Sequence, residues 1–156
     1  DITQARVAEQ AMRENERRFR LAQDAAEIGV WEWDIVHGTM VWSRREFVLH
    51  GVDPDNSVPT YELWRGTIHP DDVPAAEAAI AASVERREQL RTEYRVVLPD
   101  GSVRWLAGRG MVLANADGSP QRMVGVNIDI TAAKLLEASL ARTNGELEAR
   151  VAERTQ

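Results

Sequence analysis

The residues that could do chemistry in this chain are three histidines, five tryptophans and a doubled Asp-Ile-Thr, with no cysteine at all. His69-Pro70-Asp71-Asp72 places an imidazole beside two carboxylates, a grouping that could hold a metal or move protons. The same residues also describe a helix start, with Asp71 or Asp72 as cap and His69 closing the loop by hydrogen bonds. That reading is favoured, because Asx residues ahead of helices are usually caps. His37 falls in a His37-Gly38 turn and His50 stands beside Gly51, and no pair has zinc-site spacing. Lack of cysteine removes disulfides, thiolate metal sites and a cysteine nucleophile. A phosphate loop and a nucleophile elbow are both missing. No catalytic residue and no metal site are assigned, so any kinase activity must lie outside this stretch. Trp31, Trp33 and Trp42 could stack on a ligand ring, or fill a core with no ligand present.

Positioning these residues requires an ordinary globular framework. Hydrophobic residues make up 44% and charged residues 28% of 156, enough for one domain with helix to spare. The net charge of -6 argues against nucleic acid as a partner. No apolar run reaches the roughly 20 residues that span a bilayer. The absence of cysteine fits a cytoplasmic location, and a start at Asp1 reads as a piece of something longer, which could be membrane-anchored elsewhere.

Three zones separate by periodicity. Gln4 to Glu27 lacks Gly and Pro and carries Ala8, Met12, Asn15, Phe19, Ala22 and Ala26 on one helical stripe, with Gly29 as the expected stop. Val30 to Ile130 is strand-rich. Trp31, Trp33 and Ile35 alternate with Glu32 and Asp34, and Met40-Val41-Trp42 returns after a turn. Ser43 to Thr67 predicts short helices and loops, and Ala75 to Glu88 a longer helix. Thr92 to Leu98, Val103 to Leu113 and Arg122 to Asp129 then form a meander, with Pro99-Asp100-Gly101-Ser102 and Asn115 to Pro120 as turns. Gly108 and Gly110 inside a strand mark a bulge or a close approach. Two strands, a helical middle and three strands specify an antiparallel α+β domain. Thr131 to Thr155 is helical again, with Ala133, Leu136, Leu140, Thr143 and Leu147 on a heptad seam.

Asp1-Ile2-Thr3-Gln4-Ala5-Arg6-Val7-Ala8-Glu9 resembles Asp129-Ile130-Thr131-Ala132-Ala133-Lys134-Leu135-Leu136-Glu137. Domain-sized spacing suggests tandem copies of one module, against the alternative of two helices with a common capped start.

Gly29-Val30-Trp31-Glu32-Trp33-Asp34, Ile68-His69-Pro70-Asp71-Asp72, Glu93-Tyr94-Arg95, Leu98 to Trp105 and Val124 to Thr131, in this order, resemble the PAS domain with its C-terminal PAC motif. The resemblance covers about Phe19 to Lys134. It implies a five-stranded antiparallel sheet with short helices on one face, flanked by N- and C-terminal linker helices. The divisions are 1–27 as input linker after a preceding copy, 28–131 as PAS/PAC domain and 132–156 as coiled-coil-like output linker. The tail from Leu147 looks like the linker ahead of a sensor histidine kinase, though cyclase linkers look similar.

The resemblance also implies a pocket between sheet and helices, with Trp31, Trp33, Trp42, Trp105, Met123 and Asn127 as candidate lining. Alternation puts Met123, Gly125, Asn127 and Asp129 on one face of the last strand, and Asn127 falls where flavin-binding relatives place a glutamine amide. The opposite face, Val124, Val126, Ile128 and Ile130, would be covered by the Ala8–Met12–Phe19 or Leu136–Leu140 stripe, or by a partner subunit. No cofactor is the favoured reading. Non-covalent flavin stays open, cysteinyl-flavin photochemistry needs a cysteine, and haem would have only His69 as ligand. The expected function is a sensory, relay and homodimerisation module joined to further PAS and kinase domains. Asp129, Ile130 and Thr131 pass the signal, Thr131 capping the output helix and Asp129 pairing with Arg104 or Arg109. The alternatives are a ligand-free spacer and the PAS module of a diguanylate cyclase or phosphodiesterase.

Overall fold

The computed structural model describes residues 2–154; Asp1, the first residue of the repeat, and Thr155 and Gln156 lie outside the described residues. Helix α1 (Ile2–Ala26) leads into strands β1 (Gly29–Asp34) and β2 (Thr39–Trp42). Helices α2 (Arg44–His50), α3 (Tyr61–Thr67) and α4 (Val73–Arg86) follow, with a 3₁₀ turn at Pro70–Asp72 ahead of α4. Strands β3 (Leu90–Val97), β4 (Val103–Ala114) and β5 (Pro120–Asp129) complete the sheet, and α5 (Thr131–Arg154) leaves it. The five strands are antiparallel in the order β2-β1-β5-β4-β3. This is the expected α+β sheet, with α2 to α4 packed on one face.

The turns form for local reasons. The Asp34 carboxylate accepts the His37 N–H at 2.9 Å, and Gly38 takes the left-handed φ of 73° that closes the β1–β2 hairpin. Ser43 ends β2 and starts α2 at once: its N–H donates to the Val30 carbonyl, while its Oγ accepts the N–H groups of Val30 and Glu46. The core lies between the helices and the inner sheet face, built from Trp42, Phe47, Trp64, Tyr94, Val96 and Leu106.

Several expectations need correction. Gly29 does not stop α1; Glu27 does, in the left-handed region at φ 55°, and Gly29 is the first residue of β1. Neither Asp71 nor Asp72 caps through its side chain. His69 Nδ1 accepts the Asp71 N–H at 3.1 Å, and the Asp72 carboxylate turns onto Arg95 of β3, with contacts of 2.7 and 2.9 Å. The pair holds the Asp72 carboxyl below its ordinary range. Gly108 and Gly110 mark close approaches, while the irregularity of register falls at Leu113/Ala114. A Cβ on Gly108 would meet the Asn127 side chain at 2.8 Å, and one on Gly110 would meet the Trp31 ring at 3.0 Å.

Among the described residues, much of the outer sheet face is left uncovered. No residue of α1 or α5 is buried, and Met12, Phe19, Leu136 and Leu140 are all more than half exposed. Val41, Met111, Leu113 and Ile128 on that face stay exposed as well.

Candidate functional site

Pairing decides which side chains meet. Trp31 lies opposite Trp42 and Gly125, Trp33 opposite Met40 and Met123, and Gly29 and Gly108 both opposite Asn127. Directly opposed residues share a face, so Trp31, Trp33, Trp42, Met123 and Asn127 all point toward the helices. They line one cavity together with Glu46, Tyr61, Trp64 and Tyr94. Trp105 does not belong to it. It alternates out of phase with Leu106 and Gly108, and its ring sits on the outer face with Arg95 at 5.4 Å and Lys134 at 5.0 Å over it.

The inner end of the cavity is a buried polar network that sequence reading missed except for Asn127. Asn127 donates to Glu46 Oε1 at 2.5 Å and to the Tyr94 hydroxyl at 3.3 Å. The Trp64 indole N–H donates to the same hydroxyl at 3.2 Å. With two donors aimed at it, the Tyr94 oxygen sends its own proton to His50 Nε2, 3.1 Å away. His50 is therefore the Nδ1–H tautomer, donating to the Glu46 carbonyl at 3.0 Å, with Glu46 Oε1 at 3.2 Å.

Glu46 and His50 are each 1% exposed. Burial raises the Glu46 carboxyl to about 8, against the lowering effect of the Asn127 amide. Burial likewise lowers His50 to about 4. At neutral pH the contact is between a neutral acid and a neutral imidazole, because ionising both would strip two charges of water. Glu46 Oε1 is already engaged, so the proton sits on Oε2, which has no hydrogen-bond partner. Trp33 Nε1, in another residue that lines the cavity, is buried and unpartnered too. Glycine at position 29 is what lets the Glu46 carboxyl lie there, since a Cβ would collide with Oε2.

The cavity encloses about 40 Å³. That is room for a few water molecules, and far below the ~150 Å³ that accommodates a single benzene ring. His69, the haem candidate, does not line the cavity and caps the 3₁₀ turn instead. Among the described residues no cluster of His, Asp or Glu side chains could hold a metal ion.

The Asp129-Ile130-Thr131 segment joins β5 to α5 through specific bonds. Asp129 Oδ1 accepts the Thr131 N–H at 2.8 Å and its hydroxyl at 2.6 Å. The Thr131 oxygen in turn accepts the Trp105 N–H at 3.0 Å, and the Trp105 carbonyl accepts the Ile130 N–H at 2.9 Å. Thr131 thus ties α5 to β4 rather than capping it; the capping acceptor is Asp129. The other Asp129 oxygen lies 3.3 Å from Arg104 Nε, while Arg109 turns back on the Gly108 carbonyl. Arg104 also donates to the last carbonyls of α2, those of Val48 and Leu49, at 2.7 and 2.9 Å. Lys134, one turn into α5, bonds Glu93 at 3.2 Å as well as covering Trp105.

The fold has close counterparts. The family described as PAS fold matches residues 39–127. A sensory box histidine kinase/response regulator from Burkholderia thailandensis superposes with a TM-score of 0.72 at 36% identity, over 85% of this chain and 98% of that one. The probable diguanylate cyclase DgcE of Escherichia coli is 32% identical over 142 residues, which is 90% of this chain and 12% of that protein. The sensor protein FixL of Bradyrhizobium diazoefficiens is 25% identical over 122 residues, 78% of this chain and 24% of its own length. The chain spans a quarter or less of the length of these curated relatives.

Proposed function

The chain belongs to the PAS-fold family, and from that premise we propose that it is the sensory and relay module of a multidomain signalling protein with a sensor histidine kinase output. The observation that carries this reading is a continuous path from cavity to output helix. Glu46 and His50 stand in the network at the cavity's inner end, and both belong to α2. The α2 C-terminal carbonyls hold Arg104, Arg104 holds Asp129, and Asp129 holds the first residue of α5. A displacement of α2 therefore loads the α5 junction directly. The segments 1–27 and 132–156 act as input and output linkers around the domain at 28–131. The module works as a homodimer in the cytoplasm, with the exposed α1 and α5 stripes and the outer sheet face as the contact surface. Among the described residues no helix is long and apolar enough to cross a membrane.

The test is Asp129→Ala in the full-length protein. Autophosphorylation should lose its response to the stimulus while the fold, followed by circular dichroism, is kept. Unchanged output sinks the relay. The similarity to DgcE favours a second reading, in which the output is a diguanylate cyclase. Product analysis of the same full-length protein separates phosphohistidine from cyclic dinucleotide.

A further inference from the structure

We propose that the cavity between the sheet and the helices takes an uncharged, apolar molecule of about two or three heavy atoms, held among Trp31, Trp42, Met40 and Met123. This deepens the sensory reading and rests on it, because it names the ligand class of the input site.

The wall decides the polarity of the guest. Almost all of the surface that faces the cavity is carbon and sulfur, from the tryptophan rings, Met40, Met123, Ile80 and Leu90. The polar side chains of the lining spend their hydrogen bonds on protein. Asn127 donates to Glu46 and Tyr94, Trp64 donates to Tyr94, Tyr94 donates to His50, and the Tyr61 hydroxyl donates to Glu77. Thr92 turns its methyl toward Gly108. Glu46 Oε2 and Trp33 Nε1 have no partner, but both are inaccessible to a water-sized molecule. Water in a cavity needs about two to four polar partners, which this wall does not supply, so an apolar guest is favoured over water. A charged or hydroxylated guest would lose its hydration with nothing to replace it. The volume decides the size: about 40 Å³, where one water molecule takes roughly 10–15 Å³. Stiff, braced rings keep that space from closing. Trp42 stands edge-on to Phe47 with centroids 5.2 Å apart, and Trp64 edge-on to Tyr94 at 6.0 Å. Trp31 lies where a Cβ on Gly125 would collide with it. Glu46 ties the cavity to α2, so a guest that shifts the wall acts on the helix whose last carbonyls hold Arg104.

Ethene and methanol form the probe pair. They are close in size, and only methanol carries a hydroxyl. Each is titrated into the full 156-residue chain, labelled with ¹³C at the methionine methyls. The signals followed are those of Met40 and Met123 (assigned by their loss in Met40→Leu and Met123→Leu). Ethene should shift both methyls saturably and bind at least about tenfold more tightly than methanol, whose hydroxyl goes unpaired inside. Benzene, which needs about 150 Å³, should not saturate. Ile80→Phe fills part of the space and should weaken ethene binding at least about tenfold. Equal affinity for ethene and methanol overturns the proposal, and so does an ethene shift that grows without saturating. Benzene binding as tightly as ethene, or ethene affinity unchanged in Ile80→Phe, overturns it as well. The comparison of the probes on the unaltered chain decides even if Ile80→Phe does not fold. Loss of the ethene preference with Asp129→Ala still altering output rejects the ligand class alone. Unaltered output in Asp129→Ala rejects the sensory reading itself.

Discussion

Glu46 is the residue on which the site turns, and its titration should be visible in stability. Its folded value of about 8 lies above the ordinary 4.5, so the folded protein keeps a proton that the unfolded chain gives up. That contribution is complete below about 4.5 and is lost as pH rises toward 8. His50 works in the opposite sense. Its folded value of about 4 lies below 6.5, so its contribution is present above 6.5 and lost as pH falls toward 4. The two slopes oppose each other between 4.5 and 6.5, and above 6.5 Glu46 acts alone. Urea midpoints should therefore fall between pH 6.5 and 8, and Glu46→Gln should flatten that decline; a flat profile in the unaltered protein removes the buried acid from the account. Gly29→Ala belongs to the same scale. The added methyl displaces the Glu46 carboxyl, and the expected loss is about 1–3 kcal/mol in chemical denaturation.

At the scale of elements, the β5–α5 junction behaves as a clasp rather than a flexible link. One Asp129 oxygen serves Thr131, the other faces Arg104, and Trp105 is bonded through both its N–H and its carbonyl. The Trp105 ring adds a second hold, with Lys134 of α5 and Arg95 of β3 over it. Arg104→Met should open this clasp from the α2 side. Amide exchange in the first turn of α5 should quicken severalfold, while β3, paired to β4 along its whole length, keeps its protection. Uniform change across the sheet would show that Arg104 supports the fold as a whole and not the junction.

The whole molecule leaves apolar surface on three elements: the outer sheet face, the α1 stripe and the α5 stripe. Leu136, Leu140 and Leu147 recur on one side of α5, and each is more than half exposed. Covering such surface is favourable in water, and a second copy offers the matching one. Leu136→Glu with Leu140→Glu should shift the sedimentation of the chain from dimer to monomer while leaving its thermal transition nearly unchanged, since neither side chain contributes to the core. A monomer before any substitution would remove the pairing from the proposed function.

The succession of strands along the chain, the turns and both long helices were legible in the sequence because each depends on neighbours a few residues apart. Alternation placed Asn127 and Met123 inward and Val124 and Ile128 outward, and the doubled Asp-Ile-Thr pointed to the junction. The site itself was legible only in part. Ser43-x-x-Glu46 reads as a capping box, which would send the carboxylate back to the Ser43 N–H. That N–H is taken by the Val30 carbonyl, so Glu46 is free to turn inward. Its partner Asn127 is 81 residues away, and Tyr94 is 44 from His50. Trp105 differed from the other tryptophans for the same kind of reason: its type suggested a pocket, and strand register put it on the opposite face. Local spacing thus determined the elements and the face each residue takes within them. Which faces meet, and so which acid is buried and which tryptophan lines the cavity, was decided by long-range pairing, where burial and hydrogen-bond satisfaction must be met by residues distant in the chain.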